Sequence, residues 1–140
     1  MRLVTYNIEW FAHLFDKEDQ LLLDDAPSGR HGVDRYSQAM ALAAVFQRLD
    51  ADAILIVEAP NTGRRQRSTR ALENFAAEAG LRSFEAVTGF ANDTLQEISL
   101  LYDPTVLTAR HDPQSSPQAP RFDGVFRIDL DIDDQMDEVR

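Results

Sequence analysis

Three side chains have the type and spacing to do chemistry together: Asn7, Glu9 and Glu58. The first segment, Arg2 to Ile8, is short and rich in β-forming residues, which is the composition of a buried strand. Side chains alternate along a strand, so Thr5, Asn7 and Glu9 share one face and Val4, Tyr6 and Ile8 the other. Asn7 and Glu9 are then neighbours at the strand's carboxyl end. Glu58 ends a second apolar run, Ala53-Ile54-Leu55-Ile56-Val57, whose unbroken character is that of a strand covered on both faces. Ligands of open α/β sheets gather outside the carboxyl ends of parallel strands, so parallel pairing of these two segments would bring the three residues together. An amide oxygen with one or two carboxylates is a hard oxygen set, suited to Mg²⁺ or Mn²⁺ rather than zinc. The residue types also admit a plainer alternative, in which Asn7 caps a turn and Glu58 marks where a buried strand meets solvent.

The elements that must hold these residues follow from periodicity. From Tyr36 to Leu49, apolar Tyr36, Met40, Leu42, Ala43, Phe46 and Leu49 recur at helical spacing, with Asp34 placed to cap the start. A second helix is predicted from Ser68 or Thr69 to Ala79, with Leu72, Phe75, Ala76 and Ala79 as its inner stripe and Gly80 as its stop. Ser83–Val87, Glu97–Tyr102, Val106–Ala109 and Val125–Ile132 read as strands. The polar stretch 12–34, with Pro27, Gly29 and Gly32, reads as a long exposed connection. A β-α-β-α order followed by several strands indicates an α/β fold, a mixed α+β sheet with helices on one face. No later segment is expected to cover the other face, so a partner chain or a longer domain would have to do so.

Composition bounds the function. A chain of 140 residues with 44% hydrophobic and 27% charged residues is one domain's worth of globular protein. No apolar run approaches the roughly 20 residues of a bilayer span, and no signal-peptide pattern opens the chain, so the expected location is cytoplasmic. The absence of cysteine removes disulfides, thiolate zinc sites and thiol nucleophiles. Fourteen basic residues against 24 acidic ones give a net charge of −10, unlike a protein that grips nucleic acid through a broad cationic surface. A phosphoester substrate remains compatible, because a bound divalent cation supplies positive charge locally.

The segments Thr5-Tyr6-Asn7-Ile8-Glu9-Trp10-Phe11 and Asp52-Ala53-Ile54-Leu55-Ile56-Val57-Glu58, with Glu97-Ile98-Ser99-Leu100-Leu101-Tyr102-Asp103-Pro104 further on, resemble the endonuclease/exonuclease/phosphatase (DNase I-like) superfamily. The resemblance spans residues 1–140 as a partial domain, the N-terminal half of a four-layer α/β/β/α sandwich. It implies that Glu58 is the principal metal ligand, that Asn7 orients the nucleophile or a metal-bound water, and that Glu9 is a second metal-proximal acid. The implied activity is Mg²⁺- or Mn²⁺-dependent hydrolysis of a phosphoester, of the nuclease or phosphodiesterase type. The superfamily's later catalytic residues, among them an Asp-x-Asn motif and an Asp-His pair, have no counterpart here. The rival expectation is a non-catalytic remnant or subunit that associates with another chain, or with itself, through its exposed sheet.

Other signals are weaker. Arg64, Arg65, Arg67 and Arg70 follow Glu58 closely, where guanidinium forks could meet substrate phosphates or simply line a solvated loop, and Arg30 and His31 have a lesser claim of the same kind. Phe90, Asn92 and Asp93 share a glycine-containing loop that suits either function or turn chemistry. His13, His31 and His111 read as surface residues. Asp129-x-Asp131-x-Asp133 fails as a calcium loop, because Asp134 replaces the required glycine and Arg140 the required glutamate. There is no phosphate-cradling glycine-rich loop and no G-x-S-x-G elbow.

Overall fold

A computed structural model describes residues 1–63, 66–89 and 97–112, and the backbone of 126–128 and 137–139. Arg64, Arg65, Phe90, Asn92, Asp93, Asp129, Asp131 and Asp133 lie outside the described residues. Strand β1 (Leu3–Asn7) leads through a long connection to helix α1 (Arg35–Leu49), then to β2 (Ala53–Ala59), α2 (Ser68–Glu78), β3 (Glu85–Thr88) and β4 (Glu97–Tyr102). These four strands form one sheet in the order β1-β2-β4-β3. β1 and β2 are parallel, with Asn7 opposite Val57, and β4 is antiparallel to both β2 and β3. Strands β5 (Phe126–Ile128) and β6 (Asp137–Val139) make a separate antiparallel pair. The chain is therefore an α/β fold with a mixed sheet, as its element order implies.

Both helices pack on one face of the sheet. Ala39, Leu42 and Phe46 of α1 and Ala71, Leu72, Phe75 and Ala76 of α2 share a core with Ile54, Ile56 and Leu101. Asp34 caps α1 by accepting from the Ser37 amide at 2.6 Å, and Gly80 takes a left-handed φ of 61° just past α2, both as the spacing predicts. The α1 stripe is narrower than its apolar pattern suggests. Tyr36 and Met40 are about half exposed, while Gln38 is buried in their place.

Three expectations are corrected. Residues 12–34 are a long connection exposed over much of its length, but its start is not open: Phe11–Leu14 forms a 3-10 helix that buries Phe11 and Leu14, with Phe15 packed behind them. Val106–Ala109 is not a strand. The chain turns at 104–106, where the Val106 and Leu107 amides both donate to the Asp103 carbonyl. β2 is covered on one face only. Leu55 is 42% exposed, and it shares its open face with Leu3 of β1 at 63% and Ile98 of β4 at 53%.

The connection is drawn inward by aromatic packing. Phe15 meets Phe11 edge-on at 4.9 Å between ring centroids, Phe11 meets Phe75 at 5.0 Å, Phe75 meets Phe46 at 5.6 Å, and Phe46 meets Tyr6 at 5.2 Å. Such edge-to-face pairs add about 0.5–1.5 kcal/mol each beyond their buried area. This column joins the connection, both helices and β1. Further on, buried Asp19 accepts the Arg67 amide at 2.8 Å, and its carbonyl accepts from Asn74 Nδ2 at 2.7 Å. It thereby supplies from a distance the cap that Arg67, at the start of α2, cannot provide.

The far end of the sheet is tied by charge. Arg82 binds Asp50 at 2.6 Å and Asp103 at 3.2 Å and also pairs with Asp52, which in turn accepts the Arg2 amide. The hydrogen bond from Arg82 holds the Asp52 carboxyl below its ordinary value of 3.8. Hydrogen bonds from the Thr105 hydroxyl and amide, and then Arg82, do the same for Asp103.

Replacing Phe75, the centre of the aromatic column, with alanine is expected to cost about 3–5 kcal/mol in urea unfolding. Because Asp52 and Asp103 hold fewer protons folded than unfolded, their contribution is complete above about pH 4 and is lost as pH falls through their lowered pKa values. The urea midpoint should therefore drop below pH 4, and Arg82→Met should flatten that dependence.

Candidate active site

At the carboxyl end of the parallel pair, Asn7 Nδ2 donates to Glu58 Oε1 at 3.0 Å. Alternation alone would not place Glu58 there. Asn7 faces Val57 in register, so the next residue along β2 should point to the helix face. A β-bulge between Val57 and Ala59 breaks the alternation, and Glu58 takes a left-handed φ of 62°. Bulges re-aim side chains in this way and are common beside active sites. For a glutamate that backbone costs roughly 1–2 kcal/mol, a strain of the kind that gathers at functional sites.

β1 ends with a similar device. Its ladder runs one residue past Asn7, since the Ile8 amide donates to the Val57 carbonyl at 3.0 Å. Glu9 and Trp10 then both take positive φ, 29° and 62°, and turn the chain into the 3-10 helix. Two hydrogen bonds hold this turn. The Glu9 amide donates to Asn7 Oδ1 at 3.1 Å, and buried Gln38 of α1 donates through Nε2 to the Glu9 carbonyl at 3.2 Å. Asn7, Glu9, Trp10 and Glu58 together line an open depression of about 470 Å³.

With its amide so engaged, Asn7 acts on Glu58 rather than outward: one end orients the carboxylate and the other fixes the turn. Glu58 Oε2 has no hydrogen-bond partner among the described residues. Glu9 accepts from Trp10 Nε1 on Oε1 at 3.1 Å, and Arg30 approaches its Oε2 at 4.0 Å. No set of three or more His, Cys, Asp and Glu side chains converges to hold a metal among the described residues. The donor set is one free carboxylate oxygen on Glu58 with Glu9 beside it. That chemistry fits a hard cation that keeps several waters and takes only one or two protein carboxylates, as Mg²⁺ does. It does not fit a four-ligand zinc site.

The structure thus brings Asn7, Glu9 and Glu58 to one depression. Arg64 and Arg65 lie outside the described residues, and His13, His31 and His111 are exposed. A larger open groove of about 620 Å³ lies elsewhere, between α2 and β3, and is lined by Ala76, Leu81, Phe84 and the two acids Glu73 and Glu85. Residue types alone assign no role to Trp10 and Gln38. The available signal for Gln38 is a lone amide on the inner stripe of α1; for Trp10 it is a tryptophan directly after the candidate ligand Glu9. No family model, curated protein or solved structure matches the chain.

If Glu58 is held in a strained backbone to aim its carboxylate, Glu58→Gly should remove the strain together with the acid. Thermal unfolding should then show a variant at least as stable as the parent, by up to about 1 kcal/mol. A clear loss of stability would mean that the left-handed turn costs nothing here.

Proposed function

We propose that this chain carries the metal-binding corner of a phosphoester hydrolase of the endonuclease/exonuclease/phosphatase kind, with Glu58 as principal ligand, Glu9 as a second acid and Asn7 as the positioning residue. The observation that supports this most is the 3.0 Å hydrogen bond between Asn7 and Glu58 at the carboxyl ends of adjacent parallel strands. Water attacks phosphorus, a new P–O bond forms and the bond to the leaving oxygen breaks. Bound Mg²⁺ or Mn²⁺ would polarise a phosphoryl oxygen and offset charge on the leaving group. Asn7 keeps Glu58 from rotating away, and the Gln38 contact keeps Glu9 at the rim.

A second reading rests on the open sheet face, where Leu3, Leu55 and Ile98 are exposed on adjacent strands. A contiguous apolar surface of this kind favours association of the chain with another copy or another protein. Sedimentation of Leu55→Lys beside the parent tests it, since association through that face should weaken in the variant.

For the enzyme reading, the chain is assayed with bis(p-nitrophenyl) phosphate and Mn²⁺. Chelation should abolish hydrolysis and added Mn²⁺ restore it. Glu58→Gln should lower the rate by at least about 100-fold, and Asn7→Ala by about 10- to 100-fold as the loss of a group that orients a ligand. Full activity in Glu58→Gln would refute the assignment.

A further inference from the structure

We propose that the indole of Trp10 is a stacking platform for an unpaired nucleobase, so that the phosphoester at Glu58 belongs to a nucleotide or a single-stranded nucleic acid. This rests on the phosphoester reading above and adds to it the class of substrate.

Trp10 lines the same depression as Asn7, Glu9 and Glu58, yet 48% of it remains in water. Leaving about half of so large a ring exposed forgoes roughly 1 kcal/mol or more of burial. Nor is the ring a loose surface side chain. Its Nε1 donates to Glu9 Oε1 at 3.1 Å, its backbone is in the left-handed turn, and the next residue, Phe11, is wholly buried in the aromatic column. The His13 ring meets it nearly at right angles at 5.7 Å. His13 in turn lies against Gly29, where a Cβ would come within 3.0 Å of His13 Nδ1. A ring held this firmly loses little freedom when a ligand covers it, which is the arrangement that gives rigid aromatic residues their affinity.

The charge around the ring narrows the ligand. Arg30, half exposed, approaches Glu9 to 4.0 Å and provides a cation next to that acid in a chain whose net charge is −10. A chain with net charge of this sign lacks the broad cationic surface that would draw binding energy from many phosphates along a duplex. Stacking supplies affinity per base without regard to sequence, and it needs a base free of its partner. A base on Trp10 and its phosphate at Glu58 would share the one depression that both residues line.

Trp10 is the only tryptophan, so intrinsic fluorescence reports on this position alone. The Glu58→Gln chain is titrated with adenosine monophosphate, single-stranded oligodeoxyadenylate, ribose phosphate and inorganic phosphate. Saturable quenching by the two base-bearing ligands, with little from the other two, is the expected result. In a polarisation assay with labelled oligodeoxyadenylate, Trp10→Leu should weaken binding by about 5- to 150-fold and Trp10→Phe should restore most of it. Gly29→Ala, which displaces His13, should weaken it without touching the ligand. Equal quenching by ribose phosphate, or unchanged oligonucleotide binding in Trp10→Leu, would overturn the proposal. Mn²⁺-dependent hydrolysis of bis(p-nitrophenyl) phosphate by the parent chain separates the two readings. If it persists while base selectivity is absent, stacking alone is refuted; if both are absent, the phosphoester reading falls as well.

Discussion

The parallel pairing of β1 with β2 is the constraint on which the rest depends. It sets Asn7 beside Val57, and only from that position can the amide reach a carboxylate one residue further along the neighbouring strand. Plain strand geometry would have sent that carboxylate into the helix layer. The bulge and the left-handed backbone at Glu58 reverse its direction, and β4 tolerates the irregularity because its register resumes at Ala59 opposite Glu97. Local strain is thus held in place by a regular sheet on both sides.

Two kinds of packing supply that rigidity, at opposite ends of the strands. Near the candidate site, the column of rings from Phe15 to Tyr6 pins the chain just after its two left-handed residues, so Glu9 and Trp10 cannot relax into an extended strand. At the far end, Arg82 gathers Asp50 and Asp52 from the connection before β2 and Asp103 from the turn after β4, and fixes where β2 begins and β4 ends. The aromatic column is insensitive to pH and salt, whereas the carboxylate clamp depends on both. The open face carrying Leu3, Leu55 and Ile98 takes no part in either.

Much of this was legible in the residues. Helix α2, its inner stripe and its glycine stop follow from spacing, as do the Asp34 cap and strand β4, because each depends on local periodicity or a local hydrogen bond. What failed depended on distant partners. The connection 12–34 looks polar, and the burial of its first residues follows from Phe15 packing on Phe11 and Phe11 on Phe75 of α2, which lies far along the chain. An unbroken apolar run in β2 cannot reveal which of its faces a helix will cover. Val106–Ala109 has strand-forming residues, but Asp103 captures the following amides and closes a turn instead. For the site, alternation set Asn7 on the face opposite Val4 and Tyr6, and those two residues do pack toward the core. Glu58 reaches that face only through a bulge, which no residue type in the run announces.

The central claim, that Glu58 and its neighbours form the seat of a hard divalent cation, is tested most directly by paramagnetic broadening in solution. Substoichiometric Mn²⁺ is added to the isotopically labelled chain and the loss of amide signals is followed by residue. The account predicts that signals of residues 7–10 and 57–59 vanish first, and that Glu58→Gln removes the effect. Broadening centred instead on Asp50, Asp52 and Asp103, or unchanged by Glu58→Gln, would contradict it.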